Sequence, residues 1–258
     1  MRRFIASIFI CSSLVAAAQS PKPISLTPEK VLDAYEAAIR KGATARPVSY
    51  YVRVAAYLND LPAGPSWDTE GYYVEDGRFR EWMKSQADNS QRGYDGKRSW
   101  RSSNSGVLKA GPNQFERLVD SKEVTLASPE HFGFDFIPPS KDWRKSFVKL
   151  EILGQSKVDN HEVIVLRATV RTGRSLNFYY DASSFLLRRA DVPVDIHKGT
   201  GETGGFVVSL FLRKYVERGG WMIPEEIYEK APEYSVRRHL VKFEINPQIT
   251  DEMLEPKP

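Results

Sequence analysis

Hydrophobic and polar positions alternate with a period of two between Val163 and Ala190, and turn residues break the alternation twice. Val163 to Val170 is rich in β-branched residues, and Thr172-Gly173-Arg174 supplies a turn. Leu176, Phe178 and Tyr180 then alternate with Ser175, Asn177 and Tyr179, the pattern of a strand with two unlike faces. Asp181-Ala182-Ser183-Ser184 forms a second turn, because Asp and Ser side chains bond their own backbone in tight reversals, and a further strand starts at Phe185. The same grammar extends outward. Tyr50, Val52 and Val54 alternate with Ser49, Tyr51 and Arg53, and Leu210 and Leu212 alternate with Phe211 and Arg213. Asp76-Gly77, Asp95-Gly96 and Gly219-Gly220 stand between such runs as hairpin signals. A row of strands this long predicts a strongly curved antiparallel sheet or unclosed β-barrel, because a flat sheet of that width leaves faces and edges bare.

Three segments break the period. Thr27-Pro28-Glu29 opens a helix, with a capping hydroxyl, a proline where its missing N–H is harmless, and an acid at the positive end. Val31, Leu32, Tyr35, Ala38 and Ile39 share one face of that helix, which therefore seeks an apolar partner. Residues 112–143 read as a helical, lid-like insertion whose two pieces are kept short by Gly133, Pro138 and Pro139. Residues 192–205, with Gly199, Gly201, Gly204 and Gly205, read as a flexible connection. The fold class is α+β, mainly antiparallel β, with helices packed in the concave face of the sheet.

Composition changes the picture mainly at the N-terminus. Arg2 and Arg3, the apolar run Phe4 to Val15 and Ala16-Ala17-Ala18 make a secretory signal peptide over residues 1–18, too short for a membrane span. Residues 19–26 form a tether, and 27–258 read as one domain. Cys11 is the only cysteine of the 258 residues, so the exported chain forms no disulfide, and its place is a bacterial cell envelope, periplasmic or secreted. The formal net charge of +4 includes Arg2 and Arg3, and such a balance asks for neither nucleic acid nor stable membrane insertion.

Candidate chemistry is sparse. His131, His161, His197 and His239 have no metal-ligand spacing, and no metal or cofactor is expected. The glycines of 199–205 lack the G-K-[ST] of a phosphate loop. Asp135 with Glu130, and Glu225 with Glu226, are carboxylate pairs that the sequence does not bring together with any partner. Arg167, Arg171, Arg174, Arg188 and Arg189 read as a solvated strand face or, failing that, a phosphate contact. The informative excess is aromatic and aliphatic alternation, from which Tyr50, Val52, Val54, Phe178, Tyr180, Leu210 and Leu212 emerge as residues lining a concave apolar face.

Four motifs carry a resemblance. Tyr94-Asp95-Gly96-Lys97-Arg98-Ser99-Trp100, Phe178 to Arg188, Lys214 to Pro224, and Phe243 to Ile249 with Pro256 stand in the order and spacing of turns that mark the LolA-like outer-membrane lipoprotein-sorting proteins. The resemblance covers nearly all of the chain beyond its leader, although 112–143 and 192–205 match no motif of that family. It implies an unclosed β-barrel whose concave mouth holds helices, and a non-enzymatic carrier or chaperone role toward a lipid, an acyl chain or a lipoprotein. Burying an acyl chain is worth about 0.8 kcal/mol per methylene, so an apolar lining is sufficient chemistry. The alternative is a periplasmic interaction or sensor module with a filled core, facing an envelope protein partner.

Overall fold

The computed structural model describes residues 26–59, 64–85, 89–94, 99–103, 136, 138–139, 141, 143–171, 173–197 and 203–255. The expected leader, most of the tether and most of the 112–143 insertion lie outside them.

Helix α1 (Pro28–Ile39) begins at Thr27, whose hydroxyl accepts from the Lys30 N–H at 3.4 Å. Twelve strands follow: β1 (Ser49–Leu58), β2 (Trp67–Val74), β3 (Phe79–Ser85), β4 (Asn89–Tyr94), β5 (Ser99–Ser103), β6 (Phe147–Val158), β7 (His161–Val170), β8 (Ser175–Asp181), β9 (Leu187–His197), β10 (Thr203–Arg218), β11 (Trp221–Lys230) and β12 (Ser235–Ile245). A 3₁₀ turn (Trp143–Ser146) precedes β6, and a single helical turn, α2 (Asp251–Leu254), ends the chain.

All twelve strands lie in one antiparallel sheet, in the order β5-β4-β3-β2-β1-β12-β11-β10-β9-β8-β7-β6. Two meanders, β1 to β5 and β6 to β12, therefore run away from a shared seam where β1 pairs with β12. The curved sheet does not close, since β5 and β6 end it on either side. Asn246 fastens the seam: its side-chain oxygen accepts from Val48 N–H at 2.8 Å, and its own N–H donates to Ser49 O at 2.8 Å.

Turn chemistry sets the register. Gly77 takes φ +94 at the tip of β2–β3, a value that L side chains rarely adopt. At β10–β11, Gly219 and Gly220 take φ +55 and +80, the pair of positive values that a two-residue hairpin loop requires. The carbonyl of Gly220 accepts from Gly42 N–H at 3.1 Å and Ala43 N–H at 3.2 Å, so this hairpin clasps the chain just after α1. A Cβ on Gly220 would stand 2.7 Å from Ala43 N, which leaves room for glycine alone.

Two expectations need correcting. The stretch 192–205 is not an open connection: β9 runs to His197, β10 starts at Thr203, and Val192, Pro193 and Val194 pair with Val208, Val207 and Phe206. Pro193 is tolerated because it lies beyond Asp191, the last β9 residue paired with β8, where a missing N–H breaks no ladder bond. The strand expected from Phe185 starts at Leu187, because Phe185 takes φ +58 and belongs to the turn.

Candidate functional site

Successive side chains of a strand point to opposite faces, so the register decides which residues share a surface. Leu166 stands beside Phe178, Phe178 beside Ala190, and Ala190 beside Leu210, a row across β7, β8, β9 and β10. Near the seam Tyr50 faces Ile245, Val52 faces Phe243, and Val54 faces Leu240. Tyr50, Val52, Val54, Phe178, Tyr180, Leu210 and Leu212 are all buried, at 0–7% exposure, and belong to one apolar cluster. The structure thus brings the seven nominated residues together on one face of the sheet.

That face is roofed. Val31, Leu32, Tyr35 and Ile39 of α1 enter the same cluster, with Tyr35 packed 5.2 Å from the ring of Tyr180 and 5.9 Å from that of Trp143. Phe136 and Trp143, both 1% exposed, complete the contact and were not singled out in the sequence. Their neighbours in sequence show no strand or helix period, so only the assembled sheet reveals them.

On its polar side α1 is held by ions. Glu36 accepts from Arg46 and from Arg144, the latter at 2.6 Å, and Arg144 also donates to Asp33 at 2.6 Å. Arg40 lies over the Trp221 ring at 5.4 Å.

Polar atoms inside the cluster are few and telling. Tyr215 donates its hydroxyl to Leu187 O at 2.8 Å. Burial holds the phenols of Tyr35, Tyr180 and Tyr215 far above their ordinary pKa, and that of Tyr50 is pushed up to about 12 for the same reason. Tyr180 Oη, Trp143 Nε1 and Ser146 Oγ are buried without a hydrogen-bond partner in the protein. Leaving a buried donor unpaired costs about 1–3 kcal/mol, so the two beside Tyr35 of α1, on Tyr180 and Trp143, mark a place receptive to a polar acceptor.

The same face turns polar at two places that alternation alone does not reveal. On β3 and β4, Glu81 accepts from Arg92 at 2.5 Å and from the Tyr73 hydroxyl at 2.5 Å. On β11 and β12, Glu229 accepts from Arg238 and from the Tyr234 hydroxyl at 3.0 Å. Finding either pair requires the cross-strand register.

The remaining sequence candidates scatter. Arg188 donates to Asp181 at 3.0 Å, Arg167 to Asn177 at 3.3 Å, and Arg174 to Pro193 O at 3.5 Å. Arg189 donates to Asp191 at 2.7 Å while its guanidinium lies between the rings of Tyr179 and Phe211, 4.9 and 5.2 Å away. His161 stands 3.3 Å from Asp181 and His239 3.8 Å from Glu226. Glu225 pairs with Arg218 and Glu226 with Lys214, each engaged on its own. Asp135, Glu130 and His131 lie outside the described residues. Among the described residues, no three His, Cys, Asp or Glu side chains converge as metal ligands.

No protein-family model and no curated protein matches the sequence. Solved structures do match in fold. A LolA superfamily protein from Nitrosomonas europaea aligns with TM-score 0.52 at 11% identity, over 90% of this chain and 99% of that one. The chain has a LolA-like fold. A DUF1329 family protein from Desulfovibrio piger also aligns, with TM-score 0.53 at 12% identity, over 87% of this chain and 97% of that one. Among the described residues, no helix is long and apolar enough to cross a membrane.

Proposed function

We propose that the protein is an exported envelope carrier that holds a lipid, an acyl chain or a lipid-modified protein between α1 and the concave face of its sheet, without chemical conversion. The observation that carries this reading is the buried apolar cluster contributed by β1, β7, β8 and β10, roofed by a helix whose contact with the sheet is side chains alone. Tyr50, Val52, Val54, Phe178, Tyr180, Leu210 and Leu212 line the cargo site. The donors of Tyr180 and Trp143 receive the ester or carboxyl end of an amphiphile, a group that plain hydrocarbon lacks. The LolA-like fold and the four turn motifs shared with lipoprotein-sorting proteins support the same cargo class, as does the leader-like N-terminus.

A second reading, an interaction or sensor module with a filled core, draws on the direct contact between Tyr35 and Tyr180, which occupies part of the same space. Purifying the chain from a bacterial envelope and extracting it with organic solvent separates the two. A stoichiometric amphiphile in the mass spectrum, together with displacement of a fluorescent fatty acid, is the expected result. A clean extract and no probe binding leave the filled core. Tyr180→Phe then sharpens the carrier reading: it should weaken a fatty-acid probe while leaving an alkane-like probe unchanged.

A further inference from the structure

The other face of the sheet carries a groove of its own. Arg80, Trp82 and Lys84 on β3 point away from the α1 side, in register with Tyr72 on β2 and with Gln91 and Asn89 on β4. The chain after β12 crosses to this face and closes one wall. Asp251 of α2 accepts from Arg78 at 2.6 Å, the carbonyl of Met253 accepts from Arg80 at 3.3 Å, and Leu254 is buried at 2% exposure. The resulting cavity of about 530 Å³ is bounded by Tyr72, Arg80, Trp82, Lys84, Gln91 and Met253, and among the described residues that line it none is acidic.

Its chemistry is consistent from wall to wall. Arg80 is only 6% exposed, and two of its N–H groups are given to the neutral acceptors Met253 O and Gln91 Oε1. Burial lowers its pKa, partly offset by Tyr72, so a negative charge beside it is favoured. Lys84 reaches in from the open side; Glu70, its carboxylate neighbour at 4.0 Å, also holds Tyr51 and lies outside the lining. Trp82 offers an indole face with the Arg80 guanidinium 5.5 Å from its centre, and Tyr72 lies 5.5 Å from the same ring. Two cations, side-chain amides and two stacked rings in one hollow match a ligand with anionic oxygens at one end and a flat apolar part at the other.

We infer that this groove is a second binding site, for a small carboxylate or phosphate carrying a planar apolar group. The anionic end lies on Arg80 and Lys84 and the planar group against Trp82 and Tyr72. The site is distinct from the cargo face, because Arg80 and Trp82 alternate with Phe79 and Glu81, and Tyr73, the cross-strand neighbour of Phe79, packs against the apolar cluster.

Benzoate and phenyl phosphate test it, with neutral benzamide as the matched control. The Trp82 indole resonance, assigned by Trp82→Phe, reports occupancy in NMR titrations. Both anions, or either one, should shift that resonance at millimolar concentration or below, and the one that shifts it names the headgroup. Benzamide should bind about tenfold more weakly, the weight of one charge-assisted hydrogen bond. Arg80 also ties α2 to the sheet, so the informative variants are Lys84→Gln, whose side chain is 60% exposed, and Gln91→Ala. Each should weaken the anions several-fold while fatty-acid probe binding at the other face stays unchanged. No shift of Trp82 with either anion, or benzamide binding as tightly as benzoate, overturns the assignment.

Discussion

The two wings of the sheet follow one hydrogen-bonding plan and are stabilised in opposite ways. In the wing from β6 to β11, the face toward α1 is apolar almost throughout, and Leu166, Phe178, Tyr180, Leu187 and Leu212 are at most 1% exposed. In the wing from β2 to β5, the corresponding face carries the Glu81–Arg92 pair under the Tyr73 hydroxyl, and most described residues of β2 are only partly buried. Stability in the first wing comes from area removed from water, and in the second from directed polar contacts and from α2 on the opposite side. The lesson is one of location. The first wing presents an apolar surface, while the second is arranged for charge.

The largest expected difference between the wings is the cost of truncating an aromatic. Phe178→Ala should lower unfolding stability by about 3–5 kcal/mol, whereas Trp82→Ala, at a partly exposed ring, should cost about 1–2 kcal/mol. Urea denaturation of both variants checks the contrast, and equal costs break it.

Next comes Asp181, at the end of β8. Burial alone would raise its pKa, but the Ser183 hydroxyl, the backbone N–H groups of Ser183 and Ser184 and the Arg188 guanidinium hold it well below the usual carboxylate range. A carboxylate depressed in the folded state stabilises fully above its unfolded pKa of about 4 and loses that contribution as pH falls toward the folded value. Asp181→Asn should therefore cost about 2 kcal/mol at neutral pH, less as the medium is acidified below pH 4. Melting curves across that range should converge for the two proteins.

Glu81→Gln in the polar wing should cost about 1 kcal/mol, below the value of a fully buried pair, because the Arg92 side chain is 47% exposed. Hydrogen exchange should quicken in β3 and β4 and leave β7 and β8 unchanged. The smallest effect is expected at Gly77→Ala, about 1 kcal/mol or less: φ +94 strains a side chain, but nothing lies within 4 Å of the added carbon.

Much of the strand pattern in both wings was legible in the residues themselves. Period-two alternation at Tyr50, Val52 and Val54, and at Phe178 and Tyr180, identifies strand faces, and the turn residues Asp76-Gly77, Asp181 and Gly219-Gly220 identify where strands reverse. Alternation cannot say what a face meets, however, and Glu81 alternates as properly as any apolar residue while meeting Arg92. The β1–β12 seam joins residues about two hundred positions apart and leaves no local trace. The 192–205 segment misled because glycine and proline punctuate loops in general, whereas here Pro193 sits where β9 has already lost its β8 neighbour. The groove beside α2 was invisible for a related reason: Met253 and Arg80 meet only after the chain has doubled back across the sheet.

The clasp at Gly220 has a mechanical consequence. Its carbonyl pins the backbone immediately beyond the last turn of α1, while the Thr27 end of that helix touches the sheet through side chains such as Val31 and Tyr35. A rod fastened at one end swings rather than slides. Any excursion of α1 is thus a leaf turning on Gly42 and Ala43, opening widest at its amino-terminal tip.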